Sequence, residues 1–265
     1  MLFHIAFIFF KKMINKKKFF FDTKVGTCDS GFFFEYKFLE HFLELKYRIS
    51  IVLLSFLFLI ISNFCFVKYI VKFLEYPSLG IKFIQLAPNE YFFSTLKVTL
   101  YSSIVFLSPL IFSQLIVYLL PSCTSKEKNV ISGLIILSFL LFGLSLIFSF
   151  QVLVPAALKF FLLYGDDVIE PLWSFSDYFD FLLFLTIGTV LSFQLPVIQI
   201  ITGIFNIISA EIMLSGWKVM ILFSTCLGAI LTPSTDPVTQ ILLSVALIVL
   251  YMIGGLGILI IDLID

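Results

Sequence analysis

Apolar runs of roughly 20 residues recur along this chain, and that one feature decides most of what it can fold into. A helix of that length crosses a hydrocarbon core of about 30 Å at about 1.5 Å per residue. The runs do not alternate in polarity, as the strands of a membrane barrel would. With 60% hydrophobic and 13% charged residues, a soluble fold has no interior large enough to hide the apolar surface. The expectation is an all-α polytopic membrane protein of six transmembrane helices, at about residues 49–67, 98–120, 130–154, 181–201, 219–231 and 238–261. The fifth is short. At about 20 Å it must cross partially or thin the bilayer around it.

Charge is zero overall, so no global field favours nucleic acid. Nine of the 17 basic residues fall in the first 48 positions. Residues 1–36 are therefore expected to be a basic tail without a fold of its own, ahead of a membrane domain at 37–265. The apolar LFHIAFIFF is too short to span and lacks signal-peptide features, and Met13 offers a second start. The lysine excess puts the N-terminus on the cytoplasmic side or its organelle equivalent, and six crossings return the C-terminus there. Cys28, Cys65, Cys123 and Cys226 are scattered without metal-ligand spacing, so neither a disulfide framework nor a metal is expected. Both histidines, His4 and His41, precede the first span, which leaves no intramembrane pair for a b-type haem. No nucleotide loop or nucleophile–histidine pair stands out, and neither catalysis nor a cofactor is expected.

The polar residues inside or beside the spans are few. LTPSTDPVTQILL (Leu231 to Leu243) interrupts the last two. Pro233 marks a helix end, Pro237 suits a first helical position, and Asp236 before it suits the N-cap, a role compatible with a further function. Gln114, Gln151, Gln194 and Gln199 lie within spans, where interhelical hydrogen bonding is the plain expectation. Gln194 in LSFQLP precedes Pro196, which should break the helix ladder and expose a polar binding point. Two charged segments flank spans: EHFLELKYR (Glu40 to Arg48) and PSCTSKEKN (Pro121 to Asn129). Either they are solvated interfacial charge, or Glu44 and Glu127, returned to one face by two crossings, form an acidic site.

These residues resemble the TatC family, the multispanning receptor subunit of the twin-arginine protein translocase, over roughly residues 40–258. HFLELKYR is similar to the family's H-x-x-E-L-R-x-R, with Lys46 in place of the first arginine and Arg48 matching the second. SPLIFSQLIVYLLPSCTSKEKN carries Pro109, Gln114, Pro121 and Glu127 at family spacings, and Pro77 opens the first external loop. FIQLAPNEYFFSTLKV (Phe83 to Val98) is similar to cyanobacterial and plastid members, YGDDVIEPLWSFSDYFDF and LSFQLP resemble the plastid-type pattern, and LTPSTDPVTQ is the most specific stretch of the resemblance. The resemblance implies a concave, glove-like six-helix fold with short fifth and sixth helices, although 238–261 reads as long enough to cross. It implies recognition of paired-arginine signal peptides on folded cargo, with Glu44 and Glu127 as the carboxylates and Lys46 and Arg48 beside them. It assigns Gln194, Asp236 and Gln114 to intramembrane or partner-subunit contacts, with single-span TatA/TatB-type subunits and further copies as partners. Gln194 stands where many bacterial members carry glutamate, so hydrogen bonding rather than ionisation is expected there. Pro77, Pro109, Pro121, Pro196, Pro233 and Pro237 are read as structural.

A small-molecule or ion transporter is a competing reading, but no internal repeat supports it. A purely structural membrane-assembly subunit is another. The 35 phenylalanines against one arginine suggest an AT-rich organelle genome. With the plastid-type motifs they point to a thylakoid membrane, a mitochondrial or bacterial inner membrane being the alternatives.

Overall fold

The computed structural model describes residues 30–78, 83–119, 127–165, 172–205, 207–232 and 236–264. The chain divides into two compact units, Met1–Leu45 and Lys46–Asp265. The described part of the first is the opening of α1 (Ser30–Cys65), and every later element belongs to the second. After α1 come α2 (Val67–Glu75), β1 (Phe83–Ile84), α3 (Glu90–Leu119), α4 (Glu127–Phe148), a π turn (Ser149–Leu153) and α5 (Val154–Gly165). Next are β2 (Trp173–Ser174), α6 (Phe175–Ser192), α7 (Leu195–Ile204), α8 (Ala210–Ser215), α9 (Trp217–Leu231) and α10 (Pro237–Ile264).

Five stretches are long and apolar enough to cross a membrane: Phe42–Cys65, Glu90–Leu119, Ser132–Tyr164, Phe175–Ile204 and Pro237–Leu259. A sixth, α9, is apolar but has 15 residues, about 22 Å. Each expected span overlaps one of these, four of them overrunning an end by one or two residues. The second begins eight residues before the expected 98, because hydropathy discounts the first turns with their Glu90, Thr95 and Lys97. The fourth is two helices. Pro196 has no N–H for the carbonyl of Ser192, and the ladder resets at Phe193–Gln194. The last helix is not short: α10 runs for 28 residues.

Burial differs from that of a soluble protein: many large aliphatics are exposed, and many hydroxyls are buried beside the apolar core. On α3, Thr99, Ser103, Ser108 and Ser113 are buried while Leu100, Ile104, Phe106 and Ile111 are exposed. Without water to drive apolar faces together, membrane helices associate through small residues and hydrogen bonds. Phe175–Ile204 is the most enclosed span, 67% buried, and Phe42–Cys65 the least, at 11%, so α6 and α7 form the centre. Two apolar clusters meet there. One joins Phe179, Leu182 and Leu185 to Val98, Leu158 and Leu247. The other joins Val197 and Ile200 to Ile116, Leu134 and Ile258.

At one end of the bundle β1 pairs in parallel with β2, Phe83 beside Trp173 and Ile84 beside Ser174. Glu90 locks the two loops. Its Oε1 accepts from Ser174 Oγ at 2.8 Å and Ser176 N at 2.9 Å, and its Oε2 accepts from the Leu86 and Ala87 amides. Tyr178 donates to the Leu74 carbonyl at 2.8 Å, holding α2 and the buried Pro77 against α6. At the other end, α9 starts deep. Ile258 of α10 packs on Gly203 near the end of α7, whereas Tyr251 donates to Met213 O and lies beside Gly216. Those levels are seven residues apart on α10, so α9 begins about 10 Å inside the end of α7.

Candidate functional site

The polar residues singled out from the sequence fall into three places in the described structure, all built from helix–helix contacts. The first joins α1 to the last turns of α3. Arg48 is buried; its guanidinium donates to Gln114 Oε1 and to the Val117 carbonyl, both at 3.3 Å. Val117 lies in the final turn of α3, where carbonyls lack intrahelical partners, so a cation there also meets the negative end of the helix dipole. Arg48 and Gln114 are thus brought together. Lys46 is exposed and Glu44 half-buried on the preceding turn of α1, and Glu44 has an interaction of its own. Glu127 is the first residue of α4, but its side chain lies outside the described residues, as do Pro121 and Pro233.

The second place joins α4 to the α6–α7 junction. Gln194 is fully buried; its Oε1 accepts from Ser138 Oγ at 2.8 Å and its Nε2 donates to the Ser138 carbonyl at 3.3 Å. Pro196 supplies the break that lets Gln194 leave the helical register. The resemblance implies a partner contact for this amide, yet both of its ends serve the chain itself. Gln199, one turn on, is buried with neither amide atom bonded, pressed against Gly254 of α10. The interhelical bond expected of it is not made.

The third place is the start of α10. Asp236 is buried and caps the helix: its Oδ2 accepts from Thr239 N at 3.1 Å and from Thr239 Oγ1. Pro237 occupies the first helical position, where a missing N–H costs nothing. Farther along, Gln240 donates to Thr225 O and Ser244 to Ser224 O, tying α10 to α9.

Three polar features escaped the sequence reading. Asn63 donates to Ser102 and Ser103, the nearer at 2.9 Å, and fastens α1 to α3 inside the membrane. It is the one amide in its apolar run, which was its signal. Lys97 and Asp180 form a 2.6 Å ion pair between α3 and α6. Side chains lean toward a helix N-terminus, and both helices start at the strand end, so the pair reaches toward that interface. Glu90 was legible only as a carboxylate just after Pro88 and Asn89, ahead of an apolar run, a helix-start pattern. No group of three metal-ligating side chains occurs among the described residues.

Buried amides, hydroxyls and one guanidinium, joining long apolar helices to one another, define a multispanning α-helical membrane protein. The family described as "Sec-independent protein translocase protein (TatC)" matches residues 40–245. A tatC-like protein of Trieres chinensis is 52% identical over 225 residues, 85% of each chain. The Sec-independent protein translocase protein TatC of Synechocystis sp. is 46% identical, over 82% of this chain and 85% of its own. The chloroplastic TATC of Pisum sativum is 42% identical over 82% of this chain and 62% of its own. A crystal structure of the twin-arginine translocase receptor TatC superposes with a TM-score of 0.73 at 31% identity, covering 82% of this chain and 98% of that one. The chain belongs to the TatC family. It is a multi-pass membrane subunit of the Sec-independent protein translocase, not an enzyme, with chloroplast and cyanobacterial relatives.

Proposed function

We propose that this chain is the cargo receptor of a twin-arginine translocase in a thylakoid membrane. It binds signal peptides that carry paired arginines and nucleates transport of folded proteins. The observation that supports this most is the likeness to the solved twin-arginine translocase receptor over 82% of the chain. The chemistry assigned to the contact is carboxylate to guanidinium, a planar bidentate pairing that lysine reproduces poorly. Glu44 and Glu127 are the carboxylates. Arg48 and Gln114, which engage one another, serve as the scaffold that fixes the end of α3. Single-span TatA/TatB-type subunits and further copies of the chain complete the complex. As the resemblance to the family implies, the membrane's proton gradient drives transport.

The test is site-specific crosslinking of a paired-arginine signal peptide in native membranes. The arginine peptide crosslinks, its twin-lysine version does so at least about tenfold less, and Glu127→Ala and Glu44→Ala abolish the arginine signal. Equal crosslinking of the lysine peptide, or of both Ala variants, overturns the assignment.

A further inference from the structure

Gln151 stands out in the described structure as an exposed amide in the middle of a membrane span. It lies in the π turn of the Ser132–Tyr164 span, about 28 Å from one end and about 20 Å from the other at 1.5 Å per residue. A centred hydrocarbon core of about 30 Å therefore covers it by about 10 Å. Packing agrees on the depth. Ser149, in the same turn, shares a 3.2 Å hydrogen bond with Thr186, which lies well inside the Phe175–Ile204 span. Lipid tails offer an amide neither donor nor acceptor, and polar side chains at this depth normally face protein. Gln151 makes no hydrogen bond among the described residues, unlike Gln194 and Gln114.

Its neighbours form a seam along the same span. Ile136, Leu140 and Ile147 are 68%, 55% and 54% exposed on the same span. Gly143 sits between them, and a Cβ built on it meets nothing within 4 Å. Ile136, Leu140, Gly143, Ile147 and Gln151 are spaced four, three, four and four apart. That is an alternating heptad seam, and the last interval is lengthened by the extra residue of the π turn, which keeps Gln151 in line. A glycine with open space beside it, between apolar knobs, is what close helix packing in membranes uses.

We propose that this seam is the contact between two copies of the chain, paired about a two-fold axis along the membrane normal with Gln151 facing Gln151. An amide is self-complementary, donating and accepting at once. A two-fold axis brings the second amide to the same depth without further adjustment, as an isologous interface requires. A different helix would have to carry its own polar group at that level. One amide on an otherwise apolar seam also fixes the register of the pair. The pairing does not depend on the cargo assignment, and its test does not use cargo.

The test is disulfide formation in membranes holding the full translocase, with Cys28, Cys65, Cys123 and Cys226 replaced by Ser. Ile147→Cys and Leu140→Cys give a covalent dimer of this chain on oxidation, whereas Leu54→Cys, comparably exposed on α1, does not. Gln151→Leu lowers the Ile147→Cys yield about 3- to 15-fold, and Gly143→Ile abolishes it. No dimer from Ile147→Cys, a product with a different chain, equal dimerisation through Leu54→Cys, or an undiminished yield in Gln151→Leu overturns the proposal.

Discussion

Asp236 separates two roles that one carboxylate can hold. Both bonds from Thr239 land on the same oxygen, Oδ2, so an asparagine can present its carbonyl in the same place. Asp236→Asn is expected to unfold within a few tenths of a kcal/mol of the parent in detergent. Asp236→Ala should lose about 1 kcal/mol with the cap. Transport that falls in the Asn variant while stability holds would assign the charge a task beyond capping. Gln199 and Gly254 make a second residue-scale pair. A Cβ on Gly254 would overlap Gln199 Oε1 and come within 3.1 Å of Pro196 Cα. Gly254→Ala should cost about 1–3 kcal/mol by overpacking. Because the Gln199 amide is unbonded, Gln199→Ala should recover much of that loss. A double-mutant cycle in detergent unfolding measures it, and a coupling near zero would mean the two do not press on one another.

Helices were legible where hydrophobicity is continuous and illegible where polar residues do the packing. Six apolar segments, the short α9, the Pro196 break and the Asp236–Pro237 start all follow from residue type and order. The early start of α3 and the π turn at Ser149–Leu153 do not, since no residue in SFQVL signals an inserted turn. The candidate site was legible as a set of residues but not as pairs. Nothing in the sequence joins Arg48 to Gln114, Gln194 to Ser138 or Asn63 to Ser103, which lie 66, 56 and 40 positions apart. Within α3 a local compensation can be tested. Pro109 has no N–H for the Val105 carbonyl, and Ser108 Oγ donates to that carbonyl at 2.8 Å instead. Ser108→Ala should destabilise by about 1 kcal/mol, and Pro109→Ala, which restores the ladder bond, should make the same Ser108→Ala change nearly neutral. Equal cost in both backgrounds would show that the hydroxyl does not serve the proline gap.

For the molecule as a whole, the number of crossings turns on α9. Its 15 residues reach about 22 Å, short of a full hydrocarbon core, yet it starts inside the end of α7, so it crosses only if the bilayer is thinned there. Lys218 lies 5.8 Å from the Trp217 ring centre at that start, an aromatic–cation pairing suited to an interface drawn inward. Counting crossings gives an experiment that needs no assignment of compartments. Cys65 ends α1, and α3 separates it from Cys123. Beyond Cys123 lie three long spans and α9 before Asp265. If α9 crosses, four traverses return Asp265 to the face of Cys123; if it enters and withdraws, three put Asp265 with Cys65. Single-cysteine chains bearing Cys65, Cys123 or Asp265→Cys, labelled in sealed vesicles by an impermeant maleimide, distinguish the cases. The expected pattern is Asp265→Cys and Cys123 labelled together and Cys65 from the opposite face. Asp265→Cys labelled with Cys65 would mean that the thinned end of the bundle holds a helix that never reaches the other side.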